Sequence, residues 1–271
     1  MALQLAFTTL ACPGWTIEQA GEAARRHGYE GVEVRLLDGD IVPADLPREG
    51  RERIKRALKG LAIPCVDTSC RFASPDDAER ARMRADCENY LEIASDLGAS
   101  FVRVFGGNLA DGDTLDRAIG RIADSLNQLA PAAERAGVKI VLETHDAMSA
   151  GKTVADVLSR VPSRSIGALW DSHHPYRMGE TPAETLDVLG DRVLFTHVKD
   201  ARRQGDGWQL LPLGEGEVPV KEMLAALAKK GWDGWVSVEW EKKWHPELAE
   251  PEVALPQHAD VLRRYLQEVG A

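Results

Sequence analysis

Four side chains able to bind a metal or move a proton recur at the ends of strand-like runs. Glu143 ends VKIVLE, Asp171 ends SIGALWD, His197 sits in VLFTHVKD and Glu239 sits in WVSVEWE. Each run is mostly apolar, the pattern of a strand buried on both faces in a parallel sheet. A charge at the tip of such a strand is costly unless a cation, a partner or water compensates it. Several such tips in succession point to one shared cation. Carboxylates with one imidazole form a hard, oxygen-rich ligand set suited to a divalent metal, Mn²⁺ or Mg²⁺ first, with Zn²⁺, Co²⁺ and Fe²⁺ also within its range.

The remaining segments must position these four. LQLAFTT (3–9) precedes a helix over 16–28, with Thr16 as N-cap and Gly28 as stop. GVEVRL (31–36) precedes a charged helix ending near Gly60, and AIPCVDTSC (62–70) leads to a helix over 75–98 opened by Ser74. SFVRVFGG (100–107) precedes a helix over 114–137, and the four runs that carry the acids and the imidazole each precede a helical stretch, the last over 253–269. About eight strand–helix units result, punctuated by Gly28, Gly60, Gly98, Gly137, Gly190 and Gly231. The expected fold is α/β, a single (β/α)8 TIM barrel domain over residues 1–271, close to the roughly 250 residues such a barrel needs. No GxGxxG turn follows the first strand, which argues against a dinucleotide-binding open sheet. The C-terminal strand ends form the active face of such a barrel, and all four residues fall on that side.

Hydrophobic content of 44% and charged content of 28% describe a chain with ample core. A net charge of −10 argues against an extended nucleic-acid surface, which demands a basic face. Cys12, Cys65, Cys70 and Cys87 form no CxxC pair, and no signal-like or membrane-length apolar stretch is present. The expectation is a cytoplasmic protein with reduced thiols and neither nucleic acid nor membrane as partner.

The motifs ETHD (143–146), WDSHH (170–174), THVKDAR (196–202), LGEGEVP (213–219) and VEWE (238–241) together resemble the sugar-phosphate isomerase/epimerase superfamily of xylose-isomerase-like TIM barrels. The resemblance runs from about Leu3 to Gln267 and is strongest in the C-terminal half. It implies Glu143, Asp171, His197 and Glu239 as ligands of one divalent ion. It also implies a homodimer or homotetramer acting on a small sugar or sugar derivative. In the epimerases it resembles, the glutamates of strands 5 and 8 also transfer protons, which makes Glu143 and Glu239 the catalytic acid/base candidates. The reaction implied is isomerisation or epimerisation of a hydroxy-carbonyl sugar through an enediolate.

Around that set the sequence offers substrate-binding candidates. His174 stands where the family's Asp-x-x-His element places a histidine that reaches substrate oxygens or orients the aspartate. His145, two residues past Glu143, shares its side of an extended chain. Lys199 and Arg202 follow His197 and serve either a substrate anion or a surface ion pair. Arg35 and Arg103 end strands 2 and 4 as cations for the acid cluster. Trp15, Trp240 and Trp244 offer an apolar wall near the rim, Trp208 belongs to a glycine-flanked hairpin, and LGEGEVP reads as structural. Glu241, two past Glu239, either supports a ligand or meets substrate.

One position departs from the resemblance. Ketose 3-epimerases of this superfamily carry a further glutamate about six residues past the strand-5 ligand, where this chain has Ser149. The substrate-gripping half of the pocket therefore differs, and a metal-dependent lyase, of the inosose dehydratase type or an oxo-glycoside β-eliminase, is the alternative. An endonuclease IV-like activity needs extra histidines on early strands, and strands 2, 3 and 4 have none. A metal-free sugar-binding protein is the remaining class on this fold.

Overall fold

Strand runs that are apolar on both faces close into a ring, because one face can fill the interior while the other meets helices. The structure, a computed structural model, describes residues 3–270. Its parallel strands are β1 (Gln4–Thr8), β2 (Gly31–Glu33), β3 (Cys65–Arg71), β4 (Phe101–Phe105), β5 (Lys139–Glu143), β6 (Ile166–Asp171), β7 (Val193–Val198) and β8 (Trp235–Val238). They pair in the order β2-β1-β8-β7-β6-β5-β4-β3. The seam between β2 and β3 is closed by parallel bridges from Gly31 to Ala62 and from Val34 to Val66. This is the expected single (β/α)8 barrel.

The helices are α1 (Ile17–His27), α2 (Arg48–Ala57), α3 (Asp77–Leu97), α4 (Leu115–Ala136), α5 (Gly151–Ser159), the short α6 (His173–Arg177), α7 (Pro182–Leu189), α8 (Val220–Lys229) and α9 (Pro251–Val269). Thr16 caps α1 through a capping box with Gln19, and Gly28 ends it at φ 68°. For α3 the expected cap is corrected. Asp76, not Ser74, accepts from the first-turn amides of Ala78 and Glu79, while Ser74 accepts from Asp76 N and donates to Glu79. The last helix begins two residues earlier than expected, with Pro251 in its first turn, where a missing N–H costs nothing.

Inside the barrel the strands change character over one step. Cys65, Val141, Leu169 and Phe195 form a small buried apolar cluster of their own. Two residues further along the same strands stand Asp67, Glu143, Asp171 and His197, all fully buried. Side chains two apart share a face of a strand and lie about 6–7 Å apart. The apolar plug is thus roofed by a layer of acids and one imidazole, and the register that pairs Asp171 with His197 and His197 with Ser237 holds that layer level.

Two hairpins rise beyond the strand ends, Leu36–Leu37 with Asp40–Ile41 after β2, and Asp200–Gln204 with Gly207–Leu211 after β7. The LGEGEVP loop closes against the second hairpin. Asp200 accepts from the amides of Gly214, Gly216 and Val218 at 2.8, 2.9 and 3.1 Å. A Cβ at Gly216 would stand 2.1 Å from Asp200 Oδ1, so the approach requires glycine there.

Candidate metal centre

Glu143 ends β5, Asp171 ends β6, His197 lies in β7 and Glu239 directly follows β8, so four adjacent strands aim four ligand types at one point. One donor atom from each lies within 4.8 Å of all the others. His197 Nδ1 stands 3.5 Å from Glu143 Oε1 and 3.4 Å from Glu239 Oε1. Its other nitrogen, Nε2, lies 2.9 Å from Glu33 Oε1. A carboxylate at Nε2 calls for a proton there. Burial opposes a charged ring, yet Glu33 and Glu239 hold His197 well above its usual range, so a cation at Nδ1 would displace a second proton. His197 Nδ1, Asp171 Oδ2 and both oxygens of Glu143 are buried without a hydrogen-bond partner. Buried polar atoms are nearly always partnered, so four orphans around one point fit a cation that all of them could ligate.

Beneath and beside the group lie further charged side chains. Glu33 accepts from Ser237 Oγ, and Asp67 accepts from Thr8 Oγ1 at 3.3 Å. Burial and the neighbouring Glu33 push the Asp67 carboxyl up to about 7. Arg103 approaches Asp67 Oδ2 at 3.5 Å and Glu143 Oε2 at 3.3 Å, donates to Thr68 O, and lies over the Phe105 ring. On the opposite side the Lys199 ammonium is enclosed by Glu241 Oε1 at 2.5 Å, Glu239 Oε2 at 2.6 Å and Asp171 Oδ2 at 3.2 Å. Burial alone would lower Lys199, yet these carboxylates hold it well above the usual lysine range. Burial works against the charge of Glu239 as well, and Lys199 and His197 outweigh it, keeping this carboxyl well below the usual range. Asp171 goes the other way, pushed up to about 7 by burial against the pull of Lys199. Glu33, Asp67, Arg103 and Lys199 therefore all act on the charge of the site.

Above this layer the loops form an open cleft whose two lobes meet at His145, Asp146 and Glu241. One lobe, about 810 Å³, runs past Arg103, Phe105 and Trp244 with Glu239 in its wall. The other, about 970 Å³, runs past His173, His174, Arg177 and Trp208. Asp146 adopts φ 51°, a left-handed conformation that aspartate tolerates. This bends the chain after β5 and leaves His145 at the junction of the lobes.

A family model described as xylose isomerase-like TIM barrel matches residues 22–265. The chain belongs to this family. Among its relatives, fructoselysine 3-epimerase of Escherichia coli O157:H7 is 23% identical over 235 residues, covering 82% of this chain and 85% of that protein. Inosose dehydratase of Bacillus licheniformis is 28% identical over 166 residues, covering 54% and 52%. A probable endonuclease 4 of Mycobacterium ulcerans is 26% identical over 215 residues, covering 76% and 83%. The solved structure of an IolI protein with a bound zinc atom superposes with a TM-score of 0.85 at 19% identity, over 98% of this chain and 99% of that one. These relatives are enzymes, and the chain is an enzyme of the family.

In this xylose isomerase-like barrel the residues singled out in the sequence divide into two groups. His145 and His174 join the centre: their ring centroids are 4.5 Å apart, and a nitrogen of each lies within 4.8 Å of a Glu143 oxygen. Lys199 also joins it, as an enclosed cation rather than a free loop lysine. Trp208 stands on the hairpin, edge-on to His173 at 4.9 Å. Trp15 and Arg202 are not brought to the cleft. Trp15 donates to Glu252 on α9 at 3.2 Å, and Arg202 points outward from the hairpin to the Glu215 carbonyl. The physical reason for Arg202 is strand alternation: it shares a face with Asp200, which turns to the LGEGEVP loop, while Lys199 takes the opposite face toward the acids. Arg35 bonds the Asp67 carbonyl and Ser69 Oγ instead of a ligand acid. Ser149, buried at the base of α5, donates to Asp146 O at 2.8 Å and accepts from Arg177 at 3.0 Å.

Glu33 and Asp67 were not singled out in the sequence, although they carry the same signal. Each is an acid inside a mostly apolar run, GVEVRL and AIPCVDTSC. An acid in a buried strand carries the same meaning in the first four strands as in the last four.

Proposed function

We propose that the chain is a divalent-metal-dependent isomerase or epimerase that moves a proton on a hydroxy-carbonyl sugar through an enediolate. The observation that carries this reading is the arrangement of Glu143 and Glu239 about His197. Each turns one oxygen toward Nδ1, at 3.5 and 3.4 Å, and its other oxygen toward a buried cation, Arg103 or Lys199. Glu143, Asp171, His197 and Glu239 would hold the ion, and three carboxylates with one imidazole accommodate Mn²⁺, Mg²⁺, Co²⁺, Zn²⁺ or Fe²⁺. When bound, such an ion polarises a carbonyl and raises the acidity of the adjacent C–H.

The chain's own residues supply the rest. Glu143 and Glu239 stand on β5 and just past β8, with two strands between them, so one can take a proton from a carbon while the other returns it from a different side. Lys199 and His197 keep Glu239 ionised in a buried setting, and Arg103 and Lys199 oppose the negative charge of an enediolate. His145 and His174 contact sugar oxygens at the junction of the lobes, within reach of Glu143.

The contact between Lys199 and Glu241 favours a second reading. Glu241 lines both lobes and accepts from the enclosed Lys199 at 2.5 Å, so its carboxyl group, rather than the buried ammonium, is placed to hand a proton to a departing hydroxyl. The same enediolate would then collapse by β-elimination, the chemistry of a lyase.

Proton–deuterium exchange tests both readings. The protein is incubated in D₂O with a panel of ketoses, aldoses, inososes and oxo-glycosides, before and after metal stripping. The proposal expects deuterium on the carbon beside the carbonyl in one sugar class, lost on stripping and restored by Mn²⁺. Net water loss from the same sugar would shift the assignment to a lyase. Exchange undiminished in verified metal-free protein, or no exchange with any member, would contradict the metal–enediolate reading.

A further inference from the structure

We infer that the cleft holds a second cation site, built by Glu143, His145 and His174, that takes Zn²⁺ in preference to Mn²⁺ or Mg²⁺ and stops the reaction when filled. The site stands on its own geometry, and only its inhibitory effect rests on the enediolate reading.

The three residues are brought together by the loops after β5 and β6. Asp171 Oδ1 accepts from the amides of His173 and His174 at 2.7 and 3.2 Å, so the carboxylate that ends β6 also fixes the start of α6 and the place of His174. The His145 and His174 rings meet edge to face, with centroids 4.5 Å apart. One nitrogen of each and one oxygen of Glu143 all lie within 4.8 Å of one another.

The donors in this group lack partners. His174 is 4% exposed, yet both its ring nitrogens are buried without a hydrogen bond, as are both oxygens of Glu143. An ion held by Glu143, Asp171, His197 and Glu239 leaves both nitrogens of His174 unanswered, a deficit that folded proteins rarely carry. His145 has its own carboxylate neighbour, with Nδ1 3.0 Å from Asp146 Oδ1, and a carboxylate behind an imidazole is the common support of a metal-ligating histidine. The nearest ammonium, Lys199, is already enclosed by Asp171, Glu239 and Glu241, which lessens its repulsion of a second ion.

The two donor sets differ in kind. Three carboxylates with one imidazole suit a hard ion, whereas two imidazoles with one carboxylate form a three-ligand zinc set with a fourth position open. Glu143 belongs to both sets, so it would bridge the two ions. A carboxylate held between two cations no longer accepts a proton, and His145 and His174 are then withdrawn from the sugar oxygens.

Calorimetric titration of the chelator-stripped full chain with Zn²⁺ alone or Mn²⁺ alone tests the site without any sugar. Wild type should show two Zn²⁺ steps but a single Mn²⁺ step. H145Q and H174Q should keep the first Zn²⁺ step and weaken the second about a hundredfold or more, since residues that merely orient a ligand are already worth about 10- to 100-fold. H145Q, at a partly exposed position, carries the test if H174Q melts early. A single Zn²⁺ step in wild type overturns the inference. So does a second step unchanged in H145Q, which would place that ion elsewhere, as on the exposed His245 near Glu241 and Glu247. Two equal Mn²⁺ steps would overturn the zinc preference. Deuterium exchange on the same samples should rise with the first Zn²⁺ equivalent and fall with the second, and in H145Q the fall should move to about hundredfold higher Zn²⁺. Exchange that climbs through the second step would overturn the inhibitory role. Two Zn²⁺ steps with no exchange on any sugar would uphold the site and sink only the enediolate reading.

Discussion

Replacing Glu33 weakens metal binding more than it weakens the fold, because its carboxylate prepares His197 as a ligand from the far side of the ring. Glu33 Oε1 sits 2.9 Å from Nε2, so it fixes the tautomer that turns Nδ1 toward Glu143 and Glu239. Partners of this kind are typically worth about 10- to 100-fold in metal affinity, or roughly 1.4 to 2.7 kcal/mol. Glu33→Gln keeps an oxygen able to accept from Nε2–H and loses only the charge, so its loss belongs near tenfold. Glu33→Leu removes the acceptor and lets the ring choose the wrong tautomer, which places it near a hundredfold. The metal-free protein should respond differently. Glu33 is one of the groups that push Asp67 up to about 7, but it is also the largest attraction that holds the buried His197 imidazole well above its usual range. The two effects oppose each other, so the apo melting temperature of Glu33→Gln should change little. Calorimetric titration of Mn²⁺ into chelator-stripped protein, with thermal melts of the same samples, reads both quantities. Wild-type affinity in both variants would refute the argument that Glu33 positions His197.

Two further outcomes follow from the scaffold. His258 is fully buried against Trp240 and bonds the Ala254 carbonyl, and burial lowers its imidazole from 6.5 to about 4. The unfolded chain binds this proton more readily, so the associated stability is present above pH 6.5 and is lost as the pH falls toward 4. That loss amounts to about 3 kcal/mol, and His258→Leu should flatten the acid limb of urea-unfolding stability by about that amount relative to wild type; an unchanged limb would contradict it. At the start of α3, Asp76→Ala should cost about 1 kcal/mol of unfolding free energy, and Ser74→Ala should cost less, since only Asp76 accepts from the first-turn amides; the reverse order in urea titrations would contradict the cap assignment.

The barrel was legible because its evidence is local. Apolar strand runs alternate with capped helices, and Thr16, Gly28, Thr114 and Gly137 stand at helix ends as their side chains and backbones demand. The convergence of Glu143, Asp171, His197 and Glu239 was legible for the same reason, since strand ends of one barrel must meet. What escaped the sequence depends on contacts across the barrel. The pairing of Glu33 with His197 spans 164 positions, and nothing near Glu33 in the chain announces it. Arg202 resembled a site cation because it follows His197 closely, but the hairpin's alternation carries it outward. Lys199, only three residues nearer, turns inward and becomes enclosed. Ser149 read as a missing substrate contact, while its tether to Arg177 required the loop after β5 to fold beside α6.

The most direct measurement of the central claim is α-proton exchange by Glu239→Gln and Glu143→Gln at verified full metal occupancy. A positioned acid or base contributes about 10² to 10⁴ in rate. The account predicts that each variant, loaded with Mn²⁺ to wild-type stoichiometry, exchanges the substrate proton at least about a hundredfold more slowly than wild type. Exchange at the wild-type rate in either loaded variant would mean that this glutamate serves only as a ligand, and would contradict proton transfer between two carboxylates.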